Sequence, residues 1–528
     1  QQNRILNAVS TESQPAQPAS ESLTPVELRV DGRQVQVAAE GTLLAALRED
    51  LDVRAAKAGC SPQGQCGCCT VWVDGKPRVS CVTPVRRMAD RDITTIDGLD
   101  DGVRQAWGDA FCGSGGSQCG YCTPGIIMRF ERLRQDGVAP GDPKVARALH
   151  AHLCRCTGWQ TVLDAYAAYG QQMADRDFGA AEQRAALEGR TSQAVGPEVA
   201  LGDGLFADES APTGALVAVP NPDGGWTIAE SLPAARKASG KVQGRRTTVD
   251  PTPPIPVPEG DWDAVLQTGW VEPGYLETDA SWCEPGGEPR SVLGTGGAFG
   301  GKVDSSLGEV ARRLADEHGR AVRVVLSRED TVRMGPKRPP MAGGANADGT
   351  GHFVVARTPG IADAIHAVAP DFVVEEIDIP GPSTSVALRA AGWAEAVALL
   401  AGARGEVGEI AGPNTGVATA EVSDDQITVR VRPGQILDET VLRSYCIGAA
   451  HMAYSWVTSE SIAVDETGAV LDLTIRSFGI VRATETPTIV IELEEDSGPA
   501  VNVSDAVFAA VAAATWLHRG TPRCWPTN

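Results

Sequence analysis

An α+β multidomain protein is what this sequence predicts, and three observations carry the prediction. The chain has 528 residues, enough for roughly three or four domains that each bury a core. Strand-like alternation around Asp-Gly turns comes early, helical patterns follow it, and mixed patterns fill the remainder. The cysteines are unevenly placed: of 13, only Cys283, Cys446 and Cys524 lie beyond Cys156. Metal chemistry therefore belongs to the stretch from Cys60 to Cys156.

Composition excludes several classes. A hydrophobic share of 42% and a charged share of 22% are globular values. No apolar run of about 18 residues suggests a membrane span, so a soluble protein is expected. A formal net charge of -22 repels nucleic acid and anionic lipid, both of which are bound mainly by neutralising phosphate. Residues 1–24 have no long apolar run of the secretory kind, and their Ser, Gln and Pro content predicts a flexible tail.

The elements follow in order. "VELRVDGRQVQV" alternates around Asp31-Gly32 and predicts a hairpin. "GTLLAALRED" predicts a helix capped by Thr42. "TVWVDGKPRVSC" repeats the hairpin around Asp74-Gly75. Between them lies "GCSPQGQCGCC", a cysteine loop set on a small sheet. Cys60, Cys66, Cys69 and Cys81 come close to the C-x4-C-x2-C…C spacing of a plant-type [2Fe-2S] site, with the first interval one residue longer. Gly59, Gly64 and Gly67 let the backbone approach the sulfides and turn amides toward them. Cys68 is the spare thiol in this reading. The alternative is a zinc knot, which usually brings paired C-x2-C units.

A second set follows: Cys119 and Cys122 in "QCGYCTPG", then Cys154 and Cys156 in "HLCRCTGWQ". "GIIMRFERLRQDG" and "DPKVARALHAHLC" predict helices, so the pairs sit at adjoining helix ends. By spacing alone zinc rivals a cluster here. The two cysteine patterns in this order resemble the xanthine oxidase family of molybdenum hydroxylases over about residues 25–170. The resemblance implies a β-grasp ferredoxin-like [2Fe-2S] domain over 25–100, a helical [2Fe-2S] domain over 101–170, and contact of Gln118 with a pterin cofactor. Cys112 lies outside both patterns and reads as a buried thiol.

Residues 171–200 are polar and Ala-rich without a clear apolar stripe, and predict a linker with helical stretches. Beyond them, "GWVEPGYLETDASWC" and "GTGGAFGGK" resemble the molybdenum-binding part of the same family, implying shortened α/β molybdopterin-binding domains over 201–342 and 343–528. The resemblance sets Gly296, Gly297, Phe299, Gly300 and Gly301 beside the metal. Gly296, Gly301 and Lys302 also have P-loop spacing, but Val303 stands where Ser or Thr would hold magnesium. "RVVLSREDTVRMGPKRPP" predicts a strand followed by a basic turn, and "LRSYCIGAAHMAYSWVTSES…" a helix followed by alternating strands. Where family members carry a catalytic Glu, Asp505 in "NVSDAV" is the candidate base. An exposed helix-cap Asp is the bland reading of the same residue.

Two functions are implied. One is a molybdenum hydroxylase-type oxidoreductase passing electrons from a Mo-molybdopterin centre through two [2Fe-2S] clusters. The alternative is an iron-sulfur electron-transfer subunit whose molybdenum domains are scaffold. No segment is long enough for a separate FAD domain, so the expected partners are a chain completing the molybdenum site, an FAD subunit, or both. The substrate class is a small molecule, and thiolate clusters suit the cytoplasm.

Overall fold

The computed structural model describes residues 25–240, 246–294, 296–494 and 497–527. The tail expected over 1–24 lies outside the described residues.

Both early hairpins form. β1 (Val26–Val30) pairs antiparallel with β2 (Arg33–Val37), and β3 (Thr70–Val73) with β4 (Lys76–Val79). Their turn residues Asp31, Gly32, Asp74 and Gly75 all have positive φ, the twist that two-residue hairpins require. β5 (Asp92–Thr94) joins β1 in parallel and closes a sheet of order β2-β1-β5-β3-β4. Thr42 caps α1 (Leu43–Ala45) by accepting from the Ala45 amide, and the helix continues as a wider turn over Ala46–Asp50. This is the β-grasp arrangement, with the cysteine loop between α1 and β3.

The helical region consists of α2 (Asp101–Ser114), α3 (Thr123–Gln135), α4 (Pro143–Ala148) and α5 (Gln160–Ala168). Trp107, Phe111, Phe130 and Tyr166 pack their rings in its core, where Glu131 accepts from Trp107 Nε1 at 2.9 Å.

Residues 171–200 correct the linker expectation. α6 (Phe178–Gly189) and α7 (Pro197–Leu201) are packed elements, and Arg184 and Glu188 of α6 are almost fully buried. Their pair at 3.0 Å follows helical i,i+4 spacing, and Arg184 also donates to the carbonyls of Ile436, Gln435 and Val501. The buried face is polar but satisfied, so a search for an apolar stripe passes over it.

The remaining chain interleaves rather than dividing at 342. β6 (Leu216–Pro220), β7 (Trp226–Ala229), β9 (Ala280–Cys283) and β10 (Val322–Val325) form one sheet, flanked by α8 (Leu232–Ala238) and α9 (Leu307–His318). β8 (Ala264–Thr268) leaves that sheet to pair with β11 (Met341–Ala345) and β18 (Cys524–Trp525). The expected boundary therefore cuts through β11, and the C-terminal strand returns to a sheet built from both regions. α10 (Arg328–Met334) replaces the expected basic turn, because Ser327 and Asp330 form a capping box. β12 (Gly351–Ala356), α11 (Ile361–His366) and β13 (Phe372–Ile377) precede α12 (Trp393–Arg404); β14 (Ile410–Ala411), β15 (Val417–Val422) and β16 (Gln426–Arg432) precede α13 (Glu439–Thr458). After α13 the expected alternating strands reduce to β17 (Thr488–Leu493); residues 459–487 hold an isolated bridge and a short 3-10 turn. α14 (Ser504–His518) is buried against α12 and α13. Among the described residues no helix is long and apolar enough to cross a membrane.

Candidate functional site

Cys60, Cys66, Cys69 and Cys81 are buried together at the end of the β-grasp sheet. Cys60 is held well below the ordinary thiol range, first by the Cys66 thiol against it and then by Cys81, and the same contacts push Cys66 and Cys81 far above that range. Cys69 is likewise lowered, first by the Cys81 thiol. Four crowded thiols competing for negative charge form a cradle that a metal cluster would fill, since the cation stabilises every thiolate at once. The Gln65 amide points at Cys60 Sγ from 3.4 Å and the Cys81 amide at Cys69 Sγ from 3.5 Å, donors of the kind that stabilise a bound cluster. Cys68 turns its S–H aside to the Cys66 carbonyl at 3.8 Å; contact with the Cys66 thiol lowers it, but burial and the Cys60, Cys69 and Cys154 thiols together raise it. Gly67 has φ +71°, and a Cβ there would stand 2.5 Å from both the Ala151 carbonyl and His152 Nδ1, so only glycine fits between the two cysteine regions.

The second group sits where α3 and α5 begin. Cys119 and Cys156 Sγ are 3.6 Å apart, and Cys154 Sγ meets Thr157 Oγ1 at 3.1 Å. Cys154 is held well below the ordinary range, chiefly by bonds from Cys122 and then Cys156, while Cys122 and Cys156 are raised. These thiols meet in pairs. Two irons would share four thiolates brought together in this way. The groups adjoin directly: the Leu153 amide donates to the Cys66 carbonyl at 2.9 Å, and Trp72 Nε1 to the Met128 carbonyl at 2.8 Å. Cys112 is apart from both, and burial pushes its thiol up to about 11.

The glycine-rich loop lies on the second group. A Cβ at Gly297 would stand 2.9 Å from Cys119 Sγ, and one at Gly301 2.7 Å from the Tyr275 ring. Gly300, at φ +91°, backs onto the Ala387 carbonyl, and Gly296 onto the Gln193 amide. Phe299 lies under Arg389, whose guanidinium is 5.1 Å from the ring centre. Lys302 is buried against Glu277 at 2.9 Å, so the P-loop alternative loses its phosphate-seeking cation.

Asp505 departs from the bland reading of an exposed cap. It is buried in the first turn of α14, paired with Arg389 at 3.2 Å and with Arg190. The helix cap is supplied instead by Glu188, which accepts from the Ser504 amide at 3.0 Å and from the Val503 amide. Burial, with Arg190 nearby, lowers Arg389 to about 10. Gln118 donates to the Cys156 carbonyl and to Ser444 Oγ, both at 2.9 Å, and Gln193 accepts from Tyr445 at 2.5 Å. The void beside Gln118 is about 20 Å³, room for about one water. The cysteine groups thus fit two iron-sulfur clusters, whereas Gln118, the glycine loop and Asp505 are each held by other protein groups, and the void beside Gln118 is too small for a pterin. Sequence reasoning missed Glu188, Arg190, Gln193 and Arg389; it had treated the segment holding the first three as a linker.

Two family models match the first third of the chain: a 2Fe-2S iron-sulfur cluster binding domain over residues 24–89 and a [2Fe-2S] binding domain over residues 95–167. The chain is 36% identical over 150 residues to the nicotine 6-hydroxylase small subunit of Paenarthrobacter nicotinovorans, covering 28% of this chain and 90% of that one. It is 35% identical over 135 residues to the nicotinate dehydrogenase small FeS subunit of Eubacterium barkeri, covering 25% and 85%. Beyond these residues the likeness is one of fold: aldehyde oxidoreductase from Desulfovibrio gigas aligns with a TM-score of 0.69 at 14% identity, over 96% of this chain and 99% of that chain.

Proposed function

The chain belongs to the xanthine oxidase family of molybdenum hydroxylases, and from that premise we propose that it is the electron-carrying oxidoreductase component of such an enzyme. Cys119, Cys122, Cys154 and Cys156 hold the cluster nearer the molybdenum centre, and Cys60, Cys66, Cys69 and Cys81 the cluster that passes electrons on. Each cluster, when bound, supplies a one-electron redox couple. The observation that carries this reading is the direct junction of the two thiol groups through Leu153 and Cys66, with Gly297 lying on Cys119 at the opposite side. Burial of all eight thiols excludes water, and the Gln65 and Cys81 amides offset thiolate charge.

The closed pocket supports a molybdenum centre completed by a partner chain, with FAD on a further subunit taking the electrons and a small molecule as the substrate. Relatives named as subunits support the same assembly. Thiol chemistry suits the reducing cytoplasm. A second reading has this chain hold the pterin at Gln118 and Gly296 to Gly301 once residues 188–193 withdraw, leaving Asp505 to accept a proton; the glycine approach to Cys119 favours it. Metal analysis decides between them. The chain made alone in a host that supplies the cofactor should contain iron without molybdenum, and molybdenum should appear only with partner chains. Stoichiometric molybdenum in the isolated chain contradicts the first reading and supports the second.

A further inference from the structure

We infer that Arg328 is the buried positive charge that sets the reduction potential of the ferredoxin-type cluster, an inference that rests on Cys60, Cys66, Cys69 and Cys81 as its ligands. Arg328 opens α10, where the Ser327 and Asp330 capping box fixes the backbone. Its side chain is wholly buried. Nε and Nη2 donate to the Gly59 carbonyl at 3.1 and 2.8 Å, and Nη2 donates again to the Leu276 carbonyl at 2.7 Å. Nη1 has no hydrogen-bond partner, and the guanidinium lies 5.9 Å over the Tyr275 ring.

A cation withdrawn from water without a counter-charge is strongly disfavoured. The cluster supplies such a charge. Gly59, whose carbonyl holds the guanidinium, directly precedes Cys60, and a Cβ on Gly59 would stand 3.2 Å from Cys66 Sγ. A thiolate-ligated [2Fe-2S] centre is net negative and becomes more so on reduction, so a nearby fixed cation stabilises the reduced form more and raises the potential. The same helix also steadies the loop, because Glu329 accepts from Gln63 Nε2 at 3.0 Å. Arg476 donates to the Gln65 carbonyl at 2.8 Å from the opposite side and also feels the Cys66 and Cys60 charges, but it is partly exposed, so solvent weakens its effect more than that of the wholly buried Arg328. Arg328 is therefore a tuning residue that acts through the cluster.

The test is a redox titration of the full chain followed by electron paramagnetic resonance, comparing wild type with Arg328→Gln, Arg328→Met and Arg328→Lys. The ferredoxin-type midpoint should move to lower potential in the Gln and Met proteins and return most of the way in the Lys protein, while the helical-domain midpoint stays in place. An unchanged midpoint in the two neutral variants overturns the inference, as does a Lys protein shifted as far as Gln, which would indicate loss of the hydrogen-bond fork alone. If the Met protein does not fold, Gln against Lys still compares neutral with charged. A wild-type protein that lacks the ferredoxin-type signal overturns the ligand assignment instead, and this inference with it.

Discussion

Cys66 and Cys68 flank one glycine, yet their sulfurs are used differently. Cys66 contacts Cys60 within the thiol ring, whereas Cys68 touches Cys66 from outside it and turns its own S–H to a backbone carbonyl. Cys66→Ser should abolish the ferredoxin-type resonance and spare the other, and Cys68→Ala should leave both intact; electron paramagnetic spectra of the reduced variants check this. Gly297→Ala should alter the helical-domain signal alone, because its new methyl meets Cys119 Sγ at 2.9 Å. The two cysteine groups were legible in the sequence because loops of this kind constrain cysteine spacing along the chain. Arg190, Arg389 and Arg328 were not. Arg190 and Arg389 meet Asp505, and Arg328 meets Gly59, across long sequence separations, and spacing holds no record of such pairings.

At the scale of elements, Asp-Gly turns and the Thr42 cap were readable because local chemistry fixes them. α6 was not, since its buried face is an ion pair, and the strands expected after α13 gave way to segments whose backbone serves the cluster loop: Gln63 donates to the Leu473 carbonyl and Gln65 accepts from the Arg476 amide. α13 also carries a pH response. His451 is buried with Nε2 at the Val481 carbonyl, and burial, then Arg155, pushes it down to about 4 despite opposing help from that carbonyl and Cys154. Unfolded, the ring takes a proton below its ordinary value near 6.5; folded, it stays neutral until about 4. The unfolded state thus binds more protons across that window, so stability falls as pH drops through it, by up to about 3 kcal/mol. Urea unfolding midpoints should show this decline, and His451→Gln should reduce it without removing it, because burial also pushes His152 down to about 3.

Across the whole molecule, the iron-sulfur region and the final third are locked together. Arg155, between two cluster cysteines, makes a buried bidentate pair with Glu460 at 2.5 and 2.6 Å. Glu460→Gln should cost about 3–5 kcal/mol by stranding the guanidinium, read as a lowered thermal midpoint. Domain order was visible in the sequence, but the strand exchange that carries β8 and β18 into one sheet was not, because pairing between distant strands leaves no local pattern. The most direct test of the account is iron, sulfide and zinc analysis of the intact chain combined with electron paramagnetic resonance after reduction. The account predicts two irons and two sulfides for each of two clusters, with two distinct signals. Zinc in either site, or a single signal accounting for all the iron, would contradict it.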